Sequence, residues 1–178
     1  IYNVYLSFPT YLAIPCATIT GAAFCTLCLI PCLPLRGVYF AIVTLMYPLL
    51  FTRIIEALDI LGGTNGITGV DGFANQYVEH YIIILVVIGF LFGMRRFVNQ
   101  DIGLVLRGVK DNDQSVRASG IDVTRMKILA VFVASLIGCF GGAYMAHLYM
   151  WAGISLFALD FSIIPIASVV IGGGGTLV

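Results

Sequence analysis

The chain has 178 residues, of which 60% are hydrophobic and only 10% are charged. Soluble domains are about 45–50% apolar and about 25% charged, so this chain has too few charges to cover a water-facing surface. Nine Lys and Arg balance nine Asp and Glu, which leaves no basic surplus for binding nucleic acid. These figures exclude an ordinary soluble enzyme and a disordered tail, and they predict an integral membrane protein.

Neither end of the chain resembles a natural terminus. The chain opens at Ile1 without a Met and closes inside an apolar run. No charged start followed by a small-residue cleavage site indicates a signal peptide. We therefore expect residues 1–178 to form a single transmembrane domain that belongs to a longer membrane protein, with further spans beyond both ends.

Apolar stretches long enough to cross a bilayer recur along the chain. A membrane-spanning helix needs about 20 apolar residues. The predicted spans are residues 11–33, 37–58, 80–97, 128–150 and 161–178, the last of them incomplete. The predicted fold is therefore all-α, a polytopic bundle of transmembrane helices.

The segments that connect these spans differ in charge. Residues 95–127 contain seven Lys or Arg and four Asp, a net charge of +3, whereas residues 59–80 contain three acidic residues and no Lys or Arg. Cytoplasmic loops of membrane proteins carry the excess of basic residues. The loop at 95–127 is therefore predicted to be cytoplasmic and the loop at 59–80 extracytoplasmic.

The basic loop, residues 98–127, contains a predicted short helix of its own at 112–119. Asp111 fits the N-cap of a capping box, with Gln114 reaching back to it. Gly120 stands where a left-handed C-cap favours glycine. An eight-residue helix cannot span a membrane, so we expect it to lie at the cytoplasmic surface.

The two faces of this predicted helix differ in chemistry. We expect Val109, Val116 and Ile121 to face the membrane domain, and Asp113 and Arg117 to face the cytosol. Such a helix suits docking in a groove of another protein. A solvated connector with an incidental cap explains the same residues equally well.

The cysteines and histidines do not form a metal-site pattern in the sequence. Cys25 and Cys28 make a C-x-x-C pair within the first span, which a metal or iron–sulfur site could use. Because no His or carboxylate is nearby, small apolar packing between helices is the favoured interpretation. His80 and His147 are distant from each other in the sequence, and His147 is expected to be a packed, hydrogen-bonded residue.

Two further features of the spans favour structural roles. Small residues recur at three- and four-residue intervals in the fourth span, which predicts close helix packing inside a bundle; they are Ala134, Gly138, Gly141, Gly142 and Ala146. Arg53 and Glu56 are spaced to pair on one helix face near the end of the second span. Intramembrane charges are functional candidates, but snorkelling to the interface is the simpler explanation here.

Four segments, in the same order, resemble the LivM-type permease subunit of branched-chain amino acid ABC transporters. Residues 35–45, LRGVYFAIVTL, resemble that family's L-R-G-x-Y-F-A-I-x-T-L signature, and residues 62–69, GGTNGITG, resemble the glycine-rich loop that follows it. Residues 112–121, NDQSVRASGI, resemble the cytoplasmic EAA-type loop of ABC importer permeases. Residues 170–176, VIGGGGT, resemble the late G-G-x-G-T element.

The resemblance implies a permease of an ATP-driven importer in the inner (plasma) membrane of a prokaryotic cell. It implies cytosolic ATPase subunits, a second permease subunit, an extracytoplasmic substrate-binding protein and membrane lipid as partners, and no nucleic acid. No cofactor is expected on this chain, because ATP and Mg²⁺ would be bound by the ATPase. The chain is therefore expected to be a transport subunit and not itself an enzyme.

The resemblance also assigns residues to two roles. The implied ATPase-coupling loop comprises Asp113, Gln114, Ser115, Val116, Arg117, Ala118, Ser119, Gly120 and Ile121. The residues implied to line the translocation path are Tyr39, Phe40, Thr44, Thr64, Asn65, Gly172, Gly173 and Gly175. Apart from Thr44, these path assignments have structural alternatives: interfacial anchoring for the aromatic pair, a tight turn at residues 62–66, and plain packing for the late glycines.

Other functions remain as alternatives. The same family includes permeases for urea and short amides, which the sequence does not separate from amino acid permeases. A secondary transporter is less favoured, because the span centres lack Asp, Glu and Lys for an ion relay. An intramembrane enzyme is disfavoured, since no span carries paired carboxylates or a nucleophile beside a base.

Overall fold

Seven α-helices make up most of the part of the chain that the structure describes. The computed structural model describes residues 10–35, 38–70, 72 and 76–173. The helices are α1 (Thr10–Leu29), α2 (Val38–Leu58), α3 (Gln76–Val98), α4 (Asp101–Asp111), α5 (Asp113–Ala118), α6 (Val123–Leu148) and α7 (Leu159–Gly172). Short 3-10 helices at Ile30–Cys32, Ile60–Asn65 and Ile154–Phe157 and a two-residue strand pair, β1 (Ile67–Thr68) and β2 (Trp151–Ala152), complete it.

Five helical stretches in the described ranges are long and apolar enough to cross a membrane. They are Leu12–Cys32, Tyr39–Leu58, Glu79–Val98, Val123–Leu148 and Ile154–Gly172. Each overlaps one predicted span, so the predicted all-α polytopic bundle is confirmed. The last predicted span differs most, because its helix ends at Gly172 and residues 174–178 lie outside the described residues.

Helix capping accounts for an earlier helix start than hydropathy predicted. The helix α6 begins at Val123, five residues before the predicted 128, because the Asp122 carboxylate accepts hydrogen bonds from the backbone N–H groups of Thr124 (3.0 Å) and Arg125 (3.3 Å). A side-chain oxygen at the N-cap satisfies donors that the first turn would otherwise leave unpaired. The helix therefore continues through the charged residues that precede its apolar part.

Large apolar side chains are exposed along the spanning helices. Leu85 and Phe92 of α3 are each 71% exposed, and Ile171 of α7 is 87% exposed. Contiguous exposed apolar surface of this extent is rare on soluble monomers. Together with the five spans, it identifies a multi-pass membrane protein.

The helices α1 and α6 have the most extensive contact among the described helices, and they run antiparallel. Ala13, near the start of α1, and His147, near the end of α6, line one cavity, whereas Leu33, shortly after α1, and Ala130, near the start of α6, line another. A Cβ added at Gly21 would lie 3.1 Å from the Cys139 sulfur, so glycine permits this close approach. Ala22 of α1 is fully buried, and the buried Thr18 and Thr26 hydroxyls donate to carbonyls one turn earlier in α1.

The small-residue face of α6 is not the face that α1 covers. Gly138, Gly141 and Gly142 are exposed, and a Cβ at any of them would meet nothing within 4 Å. Within the described residues the prediction that this face is buried is therefore wrong for these glycines and for the exposed Ala134, whereas Ala146 is partly buried beside α1. The reason is that α1 packs on the neighbouring face, which carries Cys139 and the buried His147.

Three of the five cysteines have their sulfur atoms at contacts between described helices, whereas Cys16 is exposed. The sulfurs of Cys25 and Cys139 are 3.9 Å apart across the α1–α6 contact, and the Cys32 sulfur lies 3.2 Å from the Tyr47 hydroxyl of α2. Tyr47 also donates a hydrogen bond to the Cys28 carbonyl at 2.8 Å. These contacts tie α1 to α2 and α6.

The opposite ends of α6 define two ends of the molecule. We call the end that holds α4, α5 and Val123 the basic end, and the end that holds residues 59–68 and 149–157 the acidic end. At the acidic end the Tyr144 hydroxyl donates to the Glu79 carboxylate at 3.3 Å, which brings the start of α3 to the same end. The oppositely charged segments of the sequence are thus separated by the length of the spanning helices.

Candidate functional site

The loop helix α5 begins one residue later than the sequence predicted. Its N-cap is Asn112, whose side-chain oxygen accepts hydrogen bonds from the backbone N–H groups of Gln114 (3.0 Å) and Ser115 (3.3 Å). The predicted capping box with Asp111 as N-cap is therefore wrong, since Asp111 is the last residue of α4. Both residue types cap well, and the end of α4 decides which of them is available.

The C-terminal end of α5 follows the sequence prediction. Gly120 adopts a φ of +80°, the left-handed conformation that an L side chain disfavours. Its N–H donates to the Arg117 carbonyl at 3.0 Å, and the Ser119 hydroxyl donates to the Ser115 carbonyl at 3.2 Å. The chain therefore leaves α5 through a turn at residues 119–120 before α6 begins.

The apolar residues of α5 and its flanks face inward as predicted. Val109, Val116 and Ile121 are each partly buried. The Val116 methyl group lies 3.2 Å from the position of a Cβ at Gly108, so the glycine lets α5 pack closely on α4. The side of α5 that carries Gln114 and Ala118 is exposed, and the Arg117 side chain is 57% exposed.

Asp113 departs from the prediction that it faces the cytosol. Its side chain is only 11% exposed, and its carboxylate lies 3.4 Å from the Lys127 ammonium in the second turn of α6. The Arg117 guanidinium lies 3.8 Å from the same carboxylate oxygen. A carboxylate this far from water gains from adjacent cations, which explains why it turns inward.

A cavity of about 810 Å³ lies beside this ion pair at the basic end. Its walls come from the segment that follows the 3-10 helix Ile30–Cys32, the start of α2, α4, α5 and the first turns of α6. Leu33, Phe40, Val109 and Val131 supply apolar lining, and the Asp113–Lys127 pair supplies charge. The loop helix is therefore not packed against α2.

The predicted path residues of α2 have different surroundings. Phe40 lines the cavity at the basic end, whereas Tyr39 is 74% exposed and points away from the described helices. The Thr44 hydroxyl donates to the Ala41 carbonyl at 2.9 Å, within its own helix. Among these three, Phe40 alone faces a described cavity.

Thr64 and Asn65 lie at the acidic end, where they finish a 3-10 helix. The Asn65 carbonyl accepts a hydrogen bond from the Trp151 indole N–H at 3.1 Å. Ile67 pairs with Ala152 and Thr68 with Trp151 in the β1–β2 ladder. We call residues 62–68 together with 151–153 the glycine clasp, because this pairing holds the two loops together.

The glycine clasp depends on Gly66. Its φ is +72°, and a Cβ there would lie 2.7 Å from the Ala152 carbonyl oxygen and 2.8 Å from the Gly153 Cα. A mainly apolar cavity of about 410 Å³ lies against this part of the clasp and reaches Gly142 of α6. The predicted loop at 62–66 is thus a structural junction as well as a turn.

The late glycines lie at the end of α7. Gly172 is its last residue and Gly173 has a φ of +87°, and both are exposed. Gly175 lies outside the described residues. The seven predicted path residues that the structure describes therefore lie near the start of α2, at the acidic end and at the end of α7. The role of all eight residues in translocation stays a prediction.

A family model for the permease component of branched-chain amino acid transport systems matches residues 1–178, the whole chain. The chain belongs to the branched-chain amino acid transport permease family. The multi-pass helical fold agrees with membership of a family of membrane proteins. No solved structure matches this permease.

Two curated relatives illustrate the range of the family. The permease is 27% identical over 129 residues to the "Probable branched-chain amino acid transport permease protein LivM" of Methanocaldococcus jannaschii, an alignment that covers 66% of this chain and 36% of the relative. It is 28% identical over 76 residues to the "Tyrosine transport system permease protein" of Clostridioides difficile, covering 43% of this chain and 25% of the relative. The matched regions thus span only about a third and a quarter of these relatives.

Sequence reasoning missed several residues that the structure places at these sites. In the sequence Lys127 is one of seven basic residues in 95–127, with no sign of a specific partner, yet it pairs with Asp113 across 14 residues. Trp151 joins Asn65 across 86 residues, a distance over which no local pattern operates. The sequence analysis also missed the helix α4, although the sequence contains a signal for it. The charged residues Arg107 and Lys110 alternate with apolar residues at helical spacing, and the structure shows those apolar residues to be partly buried.

Proposed function

We propose that this chain is the membrane-spanning part of a permease subunit in an ABC importer for branched-chain and related apolar amino acids. The chain supplies helices of the translocation path and a docking helix, α5. A cytosolic ATPase binds α5 and supplies the energy of ATP hydrolysis. An extracytoplasmic binding protein delivers the amino acid, and a second permease subunit completes the path.

The observation that carries this proposal is the construction of α5. A six-residue helix is too short to be stable by itself, yet α5 is capped by Asn112, packed on Gly108 and tied to Lys127. Its opposite side, with Gln114 and Ala118, is left exposed. A short helix fixed on one side and open on the other suits a partner that must move it.

The charge distribution supports the orientation that the proposal requires. The basic end carries α5, and basic residues are retained on the cytoplasmic side of a membrane. The glycine clasp then lies on the extracytoplasmic side, where a binding protein would approach. The proposed location is the inner (plasma) membrane of a prokaryotic cell.

The substrate class rests on the family and its relatives. The matching family model and the Methanocaldococcus jannaschii relative carry branched-chain amino acid transport in their names, and the Clostridioides difficile relative carries tyrosine. We therefore propose leucine, isoleucine and valine as first substrates and tyrosine as the second candidate. Uptake of labelled leucine, with each unlabelled amino acid as competitor, separates the two.

The docking role of α5 is tested by a charge placed on its exposed side. In the complete permease co-expressed with its ATPase, Ala118→Asp is expected to abolish co-purification of the ATPase in detergent. A buried, unpaired carboxylate at an interface costs several kcal/mol, enough to remove a micromolar contact. The variant is expected to fold, because Ala118 is exposed in this chain.

A matched control adds the same charge outside α5. Thr124 is exposed in the first turn of α6, where a carboxylate is favourable near the helix N-terminus. Thr124→Asp is therefore expected to retain the ATPase. Retention of the ATPase by Ala118→Asp, or its absence from the wild-type permease, would contradict the proposal.

A further inference from the structure

The Asp113–Lys127 ion pair differs from the other ion pairs within the described residues. Arg53–Glu56 and Asp122–Arg125 each join residues three apart on one helix, and in each the Arg side chain is 83% exposed. The Asp113 and Lys127 side chains are 11% and 26% exposed, and they join two different helices. Exposed pairs contribute little to stability, whereas breaking a shielded pair between two elements is costly because it leaves a charge without its partner.

This pair connects α5 directly to a spanning helix. Lys127 lies in the second turn of α6, which continues without a break for 26 residues. At a rise of 1.5 Å per residue α6 is about 39 Å long, enough to reach from the basic end to the glycine clasp. A displacement of α6 at Lys127 therefore reaches the acidic end of the molecule.

Among the described residues, a cavity lies beside the pair and next to α5. The cavity of about 810 Å³ separates α5 from Phe40 and Leu35 near the start of α2. On its other side α5 is held by α4, through Val116 and Gly108. A force on α5 is therefore resisted by α4 and passed to α6, whereas α2 does not block it.

We propose that the Asp113–Lys127 pair transmits movement of α5 to α6, with both residues acting as positioning residues for transport. The proposal rests on the proposed function, in which an ATPase moves α5. The pair keeps the two helices together while α5 shifts beside the cavity. Without it, the ATPase binds and hydrolyses ATP, but α6 does not follow.

The test measures transport per ATP in the complete transporter, reconstituted in liposomes with its ATPase and binding protein. Lys127→Met keeps the length of the side chain and removes its charge, and Arg117 at 3.8 Å still neutralises Asp113. We expect the ATPase to remain bound and the number of leucine molecules transported per ATP to fall by about fivefold or more. Lys127→Arg keeps the charge and is expected to retain most of the wild-type ratio of leucine to ATP. If Lys127 acted only by packing its aliphatic stem, Lys127→Arg would have no reason to retain that ratio better than Lys127→Met.

A double-variant comparison distinguishes a pair from two separate effects. Asp113→Asn alone and Asp113→Asn with Lys127→Met are expected to show the same reduced ratio as Lys127→Met, because each removes the same link. Arg125→Gln removes one partner of the exposed pair at the same end and is expected to leave the ratio unchanged. Additive losses in the double variant would overturn the proposal.

The outcomes separate this proposal from the proposed function. If the wild-type permease binds no ATPase, the proposed function fails. If the wild type and Lys127→Met both bind it and transport the same number of molecules per ATP, the docking role stands and the transmitting role of the pair is wrong.

Discussion

The two ends of α6 are joined to their neighbouring loops by different kinds of contact. At the acidic end the glycine clasp relies on backbone pairing between β1 and β2 and on the Asn65 carbonyl, which accepts from Trp151. At the basic end α5 is joined to α6 through side chains, chiefly Asp113 and Lys127. Backbone pairing fixes a geometry, whereas an ion pair between two helices permits one to tilt against the other.

Because of this difference, the two ends should tolerate different kinds of substitution. The glycine clasp should tolerate most side-chain changes but not the addition of a Cβ where the backbones touch. The basic end should tolerate changes on exposed positions and respond to changes in caps and in the ion pair. The basic end is therefore suited to movement and the acidic end to a fixed junction.

The largest effect on stability is expected at Gly66. In Gly66→Ala the new Cβ would meet the Ala152 carbonyl and the Gly153 backbone at 2.7 and 2.8 Å, in a left-handed conformation. Strain and overlap together should cost about 3 kcal/mol. Unfolding of the purified permease in SDS, followed by circular dichroism, measures the loss.

Gly69 provides the matched control for that variant. Its φ is +84°, but a Cβ there would meet nothing within 4 Å. Gly69→Ala should therefore cost only the left-handed penalty, about 1 kcal/mol. Equal losses for the two variants would show that the close approach at Gly66 is not what holds the clasp.

A smaller effect is expected at the cap of α5. Asn112→Ala removes the acceptor for the N–H groups of Gln114 and Ser115, and it should destabilise α5 by about 1 kcal/mol. Hydrogen exchange at these two amides should accelerate about fivefold, while exchange in the middle of α6 stays unchanged. Because Asp111 is the last residue of α4, Asp111→Ala should leave both amides protected from exchange. If exchange were faster in Asp111→Ala and unchanged in Asn112→Ala, the N-cap would be Asp111, as the sequence predicted.

Hydropathy and charge were sufficient to predict the five spans and the separation of the two charged segments. Apolar length is a local property, so the start of α2 was predicted to within one residue. The start of α6 was not, because Asp122 caps the helix before its apolar part begins. Hydropathy locates the membrane segment of a helix, and capping locates its first residue.

The contacts that define the candidate site were less predictable. The short helix and the left-handed Gly120 follow from local patterns, but the inward turn of Asp113 depends on Lys127, which another helix supplies. The glycine clasp joins residues 86 apart, and no periodicity in either loop signals its partner. The small-residue face of α6 was predicted to be buried, yet in the described residues α1 packs on the adjacent face.

The most direct test of the account is photo-crosslinking from Ala118 to the ATPase in the assembled transporter. A photoreactive amino acid at position 118 is expected to crosslink to the ATPase subunit. The same amino acid at Tyr77, which is 81% exposed at the acidic end, is expected to give no such product. Absence of the crosslink at 118 in a complex that hydrolyses ATP, or an equal yield from position 77, would contradict the assignment of α5 as the docking helix.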